Sequence, residues 1–562
     1  MRATECLILS DFNCENLAGY LDKSGDGAIL PHCSPFGQLW PTLFELAQTA
    51  SSDEHKVVII WTLPQAVVPS LYGSGVAARE TLAQAMKEVD SFCDLILTVE
   101  VGCKAIFVPT WVIPTEFRGR GFADLKPGGV HWLLGKMNDR LIDKLGESNR
   151  CFVLHASKWI EQCKGNAFDP RLWFMGKIPF HRSVFQHASV EISAAMQSIT
   201  GNIKKLLVLD LDDTLWGGVV GDLGWQNVRL GGHDALGESF KAFQQAISSL
   251  RRSGVMLAIA SKNEEAFALQ TILKHPEMIL KLEDFVAWRI NWNDKAENIF
   301  SIVEELNIGL DSVVFIDDNP VERQRVRDAC VGVFVPEWPT DKMQYVTALS
   351  NLRCFDKPSV THEDAQRTAM YRAERDRLQL RSSVESVEQW LHGLEMVVEV
   401  AAIDQSNIKR ATQLLNKTNQ MNLSTRRLTE SEFLNWCNAE DRIAFAFSVS
   451  DKFGDAGLTG IGSIEFNNDI GVITDFIVSC RVFGRRVEDL IVATLLEAAR
   501  RRGIKTVKAI YRATEKNRVT LDYFAGISFA QDDDVFIAST ASVLETPSWI
   551  SVCHRDQELS SR

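Results

Sequence analysis

The chain of 562 residues contains no run of about 18 apolar side chains, the length that a membrane-crossing helix needs. Its first apolar stretch is short and is broken at once by Asp11 and Asn13, which argues against a secretory leader. A soluble, cytoplasmic protein with no membrane partner is therefore expected. No two of the 12 cysteines stand in a Cys-x-x-Cys pair, so the commonest zinc and dithiol signatures are missing and reduced thiols are the default. Long tracts of one charge are missing as well. The formal net charge of −13 is spread along the chain, which argues against a broad cationic surface for nucleic acid. Internal repeats and low-complexity tracts are not found either.

What is present is ordinary globular material. Hydrophobic residues make up 46% and charged residues 24%, enough for a real core in each module. A chain of this length exceeds what one core supports, and the usual domain size of roughly 100–200 residues implies about three. Residues 1–200 alternate short apolar runs (6–9, 56–61, 94–99, 151–154) with helical stretches (77–92, 135–145), the pattern of an α/β unit with a parallel sheet. A second unit, 201–350, has strand-like runs at 206–209, 256–260 and 312–316 between helical stretches at 235–252, 264–274 and 294–306. The charged segment 351–394 reads as a helical linker with a solvated face. From 395 to 546, several strand-like runs and helices at 406–415 and 486–501 predict a separate α+β domain, and residues 547–562 a flexible tail.

The strongest chemical signal begins at Leu206. Four apolar residues run into Asp210-Leu-Asp212-Asp-Thr214, which places carboxylates beyond the carboxyl end of a strand, where parallel sheets present ligands. Carboxylates at i and i+2 lean to the same side of extended backbone, so Asp210 can attack a phosphoryl group while Asp212 handles the leaving-group proton. Further pieces come in order: Ser261 at the end of the second strand, Lys295 in Asn-Asp-Lys-Ala-Glu-Asn, and Asp317-Asp318 at the end of the third. A transferred phosphoryl group carries spread negative charge. Ser261, Lys295 and a Mg2+ ion held by Asp210, Asp317 and the backbone at Asp212, with Asp318 in support, would neutralise it. Thr214 and Asn319 stand beside these carboxylates as candidate substrate contacts. A lone Asp-x-Asp is more often a strand-end turn or a helix cap, and it is the ordered set at three strand ends that argues for chemistry.

These motifs resemble the haloacid-dehalogenase superfamily. Asp-Leu-Asp-Asp-Thr-Leu-Trp-Gly-Gly and Phe-Ile-Asp-Asp-Asn-Pro-Val-Glu-Arg resemble its FkbH-like branch, over residues 205–335. Asp-Pro-Arg-Leu-Trp-Phe-Met-Gly-Lys-Ile-Pro from Asp169 and Thr-Asn-Gln-Met-Asn-Leu-Ser-Thr-Arg-Arg from Thr418 extend the resemblance to most of the chain. It implies a Rossmann-like parallel sheet with no cap domain, for which the short connections 214–235 and 261–295 leave no room. It also implies an enzyme that takes 1,3-bisphosphoglycerate, releases phosphate and passes the glyceryl group through an enzyme thioester to the phosphopantetheine thiol of an acyl carrier protein in secondary-metabolite biosynthesis.

The flanking domains carry weaker resemblances. Ser479-Cys-Arg-Val-Phe-Gly-Arg-Arg-Val-Glu488 comes after a strand, opens a helix and resembles the cofactor loop of GNAT-type acetyltransferases, although Arg486 stands where that pattern has a small residue. Amides at a helix start, with Arg481, Gly484, Arg485 and Arg486, would face a pyrophosphate or phosphopantetheine phosphate, so coenzyme A is a possible ligand. Cys480, beside these arginines, would have its thiolate favoured and is the candidate acyl-bearing nucleophile. Asn419, Asn422 and Arg426 are candidate contacts to the same group. Near the amino end, Ser10 after a strand resembles the first block of SGNH hydrolases, without Gly-Asp-Ser, and predicts a degenerate flavodoxin- or SGNH-like domain over 1–200. Gly309-Leu-Asp-Ser-Val313 looks like a carrier attachment site but leads straight into a strand, so the carrier is expected to be a stand-alone protein.

Three functions compete on this reading: a phosphatase and glyceryl transferase that loads a carrier protein, a CoA-dependent acyltransferase acting on a sugar or amine, and a non-catalytic docking scaffold.

Overall fold

The computed structural model describes all residues except 1–3, 25–28, 49–55, 73–77, 115–120, 200–202, 307, 358–369, 371, 374, 378–379, 382, 419, 468, 480, 515–516, 528, 542–545 and 556–562. The chain divides into two compact units, Met1–Lys205 with Gln344–Val360, and Leu206–Met343 with Thr361–Arg562.

The first unit is a parallel sheet of β1 (Thr4–Leu9), β2 (Ile29–Cys33), β3 (Lys56–Ile60), β4 (Ala105–Pro109) and β5 (Cys151–Leu154), in the order β2-β1-β3-β4-β5. Both faces are covered, which explains the unbroken apolar runs 6–9, 57–60 and 105–109 of its central strands. Val57 and Ile59 of β3 pack with Leu17, Leu21, Phe185 and Ile192, while Val58 and Ile60 pack with Val89, Phe92, Ile96 and Met137. The run at 94–99, expected to be a strand, lies inside the helix Ala78–Glu100. Its buried residues Val89, Phe92, Ile96 and Val99 repeat at three and four, the helical period, and a short apolar window cannot show that. The strand lies further on, at β4. Strand β2 contains Pro31 and was not expected, but at the edge of the sheet a missing N–H costs little.

The second unit contains two sheets. In the first, β6 (Leu206–Leu209), β7 (Met256–Ser261), β8 (Phe285–Ile290) and β9 (Val313–Ile316) run parallel in the order β8-β7-β6-β9. The Asp210 segment therefore leaves an interior strand, flanked by β7 and β9.

The other sheet is mixed, with eight strands: β10 (Met396–Ala402), β11 (Arg442–Asp451), β12 (Gly454–Asn467), β13 (Ile470–Val478), β14 (Thr506–Ile510), β15 (Ala530–Asp532), β16 (Val535–Ser539) and β17 (Ile550–His554), ordered β15-β16-β14-β13-β12-β11-β10-β17. Strand β17 corrects the expected loose tail. It pairs parallel with β10 from Met396 to Val400, and Ile550 is buried beneath it, so the free edge of β10 orders a segment that composition alone marks as polar. Strands β13 and β14 pair only over 470–473 and 506–509. Beyond that point they part, and residues 421–423 lie between them. The Val478 N–H donates to the Met421 carbonyl (3.1 Å), the Leu423 N–H to Phe476 (3.2 Å) and the Arg512 N–H to Leu423 (3.1 Å).

The charged linker does not present a wholly solvated face. Arg375 lies over the Trp288 ring at 4.9 Å and donates to the Val286 carbonyl of β8. Arg377, buried, grips Asp451 at the end of β11 with Nε at 2.6 Å and Nη2 at 2.8 Å. Asp451 also accepts from Arg485 at 3.2 Å. Arg377→Ala is expected to cost about 2–3 kcal/mol, below the roughly 3–5 kcal/mol for a buried charge left with no partner, because Arg485 stays. Urea unfolding followed by tryptophan fluorescence checks this, and Arg377→Lys should recover only part of the loss because it cannot bind in two places.

Candidate active site

The site assembles where β6 and β9 end side by side. The Asp210 N–H donates to the Ile316 carbonyl (3.0 Å), which continues the ladder one residue past the strand and holds Asp210 beside Asp317. Lys295 opens the helix Lys295–Leu306, and its Nζ lies 2.9 Å from Asp210 Oδ1 and 2.6 Å from Asp317 Oδ2. All three side chains are at least nine-tenths buried. Burial works against the charge on Lys295, but Asp210 and Asp317 outweigh it and hold its pKa above the usual lysine range. Burial, followed by the Asp210 charge, pushes the Asp317 carboxyl up, with Lys295 opposing.

Asp318 adds a third carboxylate, and Asp210, Asp317 and Asp318 offer oxygen atoms within 4.8 Å of one another. Lys342 Nζ donates to Asp318 Oδ2 (3.0 Å) and to the Asp213 carbonyl (2.9 Å). Buried Arg323 anchors the turn by donating from Nη1 to the carbonyls of Asp317 and Asp318, 2.8 Å each. Carboxylates outnumber the two ammonium groups here. An all-oxygen donor set with excess negative charge fits a hard divalent cation such as Mg2+.

Of the four acids expected to hold a metal, Asp212 sends its carboxylate elsewhere. Its Oδ1 accepts from Trp216 Nε1 (2.9 Å) and the Val220 N–H (3.2 Å), and its Oδ2 from Asn263 Nδ2 (2.9 Å). The backbone between Asp212 and Val220 turns back on itself, with Asp213 at φ +53°, and this brings those donors round the carboxylate. Burial raises the pKa of Asp212 in spite of the three bonds, and the nearby Asp210 charge adds to the effect. Ser261 is fully buried, with its Oγ 3.4 Å from Asn263 Nδ2. Thr214 is fully buried too, and its Oγ1 has no hydrogen-bond partner among the described residues. Asn319 instead caps the helix Pro320–Ala329 by accepting from the Val321 N–H.

Trp216, Asn263, Arg323 and Lys342 were not singled out from the sequence. Asn263 stands two residues past Ser261, so the i, i+2 argument applied to Asp210 would have found it. Lys342 carries no comparable signal. Asn263→Ala is expected to lower kcat about 10- to 100-fold, less than the roughly 100- to 10,000-fold that a positioned general acid or base itself contributes. Its bond favours the ionised form of Asp212, so losing it raises that pKa further and moves the Asp212 limb of the kcat–pH profile to higher pH. An unmoved limb with a uniformly lower kcat would show that Asn263 does not act through Asp212.

Among the described residues, several of those expected of the carboxyl domain are bonded to groups of the fold itself. Cys480 and Asn419 lie outside the described residues. Asn422 is buried, its Nδ2 donating to the Thr418 carbonyl and its Oδ1 accepting from the Thr425 N–H. Arg426 Nε donates to buried Asp475 at 2.7 Å, and its guanidinium lies 4.2 Å from the Trp436 ring centre. Arg481 is half-buried, Arg485 pairs with Asp451 and Arg486 with Asp489 (2.6 Å). The Gly484 N–H, at φ +76°, donates to Glu488 Oε1 at 2.8 Å. In the first unit, buried Ser10 accepts from the Phe12 N–H and lines a cavity of ≈ 330 Å³ beyond the ends of β1 and β2.

No family model and no curated protein matches the chain. Among solved structures, the N-terminal part of a Bacteroides fragilis protein containing a phosphatase domain, complexed with Mg, is similar at 29% identity and a TM-score of 0.57. That match covers 64% of this chain and 95% of the other. Spermidine N-acetyltransferase from Vibrio cholerae matches at 10% identity and a TM-score of 0.21, over 26% of this chain and 94% of its own. PaiA N-acetyltransferase from Thermoplasma acidophilum, in complex with coenzyme A, matches at 11% and 0.20, over 25% and 96%. The chain is thus a multidomain α/β protein with a part similar to a phosphatase-containing protein. No helix among the described residues is long and apolar enough to cross a membrane.

Proposed function

We propose that the chain is a magnesium-dependent enzyme of the haloacid-dehalogenase type and FkbH-like, which removes phosphate from a phosphorylated three-carbon acyl unit, 1,3-bisphosphoglycerate, and loads the acyl group on an acyl carrier protein. The observation that carries this reading is the buried ammonium of Lys295 set between Asp210 and Asp317, with Asp318 completing a carboxylate set at the end of an interior parallel strand.

In this reading an Asp210 carboxylate oxygen forms a bond to phosphorus as the leaving oxygen departs with a proton from Asp212. Water then gives a proton back to Asp212 and displaces phosphate from Asp210, which restores both side chains. The raised pKa of Asp212 suits it to hold the proton that the leaving group needs. Ser261, Thr214 and Lys295 face the phosphoryl oxygens. A bound Mg2+, held by Asp210, Asp317 and Asp318, would supply further compensation for the charge on the transferred group. Cys480 is the candidate thiol for the transient acyl thioester: its sulfur would bond to the C1 carbonyl carbon as the C1 phosphate leaves, and the Asp210 site would remove the C3 phosphate ester.

The test is the intact mass of a pantetheinylated carrier protein after incubation with enzyme, Mg2+ and 1,3-bisphosphoglycerate. A glyceryl adduct that disappears with Asp210→Asn supports coupled dephosphorylation and loading, and its disappearance with Cys480→Ala supports the thioester. Absence of any adduct, with turnover of acyl-CoA instead, would replace this reading by the sugar or amine acyltransferase.

A further inference from the structure

Where two parallel strands part, each offers unpaired amides and carbonyls, and an extended ligand bearing its own amides can bridge them. The pantetheine arm of coenzyme A is such a ligand. In the carboxyl sheet that space is filled by the chain itself. Met421 and Leu423 are bonded to β13, and Leu423 also to Arg512 beyond β14, in the manner of an added strand. Their side chains belong to the domain core. The inserted segment is pinned a second time from the other side. Asn517 Nδ2 donates to the Asn422 carbonyl (3.0 Å), the Asn422 N–H to Thr520 Oγ1 (3.1 Å), and Thr520 Oγ1 to the Gln420 carbonyl (3.0 Å). Asn517 and Thr520 are fully buried, so pulling the segment out leaves buried donors and acceptors without partners as well as apolar side chains without a core.

The loop after β13 is closed in the same way. The Val482 N–H donates to Ser479 (3.1 Å) and the Arg485 N–H to Val482 (3.3 Å), while the Gly484 N–H is taken by the Glu488 carboxyl. Glu488 and Asp489 sit buried in the first turn of the helix Val487–Arg501, the place where a helix would otherwise attract an anion. Burial pushes the Glu488 pKa up, yet in either protonation state its oxygen occupies the Gly484 amide. Two of the three arginines a diphosphate would seek, Arg485 and Arg486, are paired with Asp451 and Asp489. Two separated features thus disagree with a nucleotide-bearing thiol: one blocks the arm and the other the diphosphate.

We infer that this domain does not take free coenzyme A, because a pantetheine arm finds no place between β13 and β14. The exclusion does not depend on the carrier-loading reading, and under that reading the carrier's phosphopantetheine, which has the same arm, is met outside this gap.

Calorimetric titration of the full chain with coenzyme A and acetyl-CoA is expected to show no saturable binding up to about 1 mM. Hydrogen exchange should find the amides of Leu423 and Val478 equally protected with and without coenzyme A at that same concentration. Saturable binding at micromolar concentration, or loss of protection on adding coenzyme A, would overturn the inference. The carrier mass assay runs beside it. Coenzyme A binding with a loaded carrier refutes the exclusion and leaves the carrier reading standing. No coenzyme A binding with an unloaded carrier upholds the exclusion and removes the carrier-loading reading.

Discussion

Asp210→Asn is expected to lower metal-dependent phosphate release by about three to six orders of magnitude, because an amide cannot form the phosphoryl-enzyme bond and a lost nucleophile is the costliest change an active site can suffer. The fold should survive. Asn keeps the volume of Asp, its N–H can still bond to Ile316, and Lys295 keeps Asp317 at 2.6 Å as a counter-charge. The Asp210 charge is one of the forces raising the Asp317 pKa, so its removal relieves repulsion inside the site. The checks are p-nitrophenyl phosphate turnover with saturating Mg2+ and a thermal melt of the same preparation. A variant within tenfold of the parent rate, at an unchanged Tm, would show that Asp210 does not attack phosphorus.

Most residues of this site could be brought together from sequence because they lie at or just past the end of an apolar run, and parallel strands that share an end present their next residues to the same crevice. Asp210, Asp317 and Asp318 are joined by that rule, whereas Lys295 opens a helix and is placed by its Asn-Asp-Lys-Ala-Glu-Asn setting. Trp216 and Lys342 are not so joined. The first reaches Asp212 through a tight reversal of the backbone, and the last comes from a loop 24 residues past Asp318. Such contacts depend on how short loops turn, which hydrophobic period does not record.

The α/β class was legible in alternating apolar and amphipathic segments, and the structure has that architecture. Errors arose where a local window stood in for tertiary context. Residues 94–99 have strand composition but belong to a long helix, and Ile550–His554 look like tail until the edge of β10 is available to pair with them. The loop at 481–486 shows the same limit in electrostatics. Three nearby arginines suggest an anion site, but two of them are taken, Arg485 by Asp451 and Arg486 by Asp489. Counting cations along a segment cannot reveal an acid that the fold delivers from another strand.

Lys295→Met should produce the largest loss of stability. It leaves Asp210 and Asp317, 6% and 0% exposed, facing each other without the ammonium that touches both. Removing one partner of a buried ionic set costs about 3–5 kcal/mol, and that range is expected at about pH 8 without metal. The sign of the pH dependence comes from linkage. Lys295 has a raised folded pKa, so its stabilisation is complete below the usual 10.5 and nearly constant from pH 5 to pH 8. Asp317 is an acid with a raised folded pKa, so between its ordinary 3.8 and that higher value the native state binds the extra proton and stability falls as pH rises. Losing Lys295 removes the main lowering influence on Asp317 and widens that window upward. The Tm gap between parent and variant should therefore be small near pH 5 and grow towards pH 8. Mg2+ should narrow it again because the variant, with one positive charge fewer in the site, binds the ion more tightly than the parent; at saturating ion each tenfold gain in affinity returns about 1.4 kcal/mol. Melting curves at both pH values, with and without Mg2+, decide the matter: a gap that neither pH nor Mg2+ changes would mean that Lys295 supports the fold by packing and not by neutralising these carboxylates.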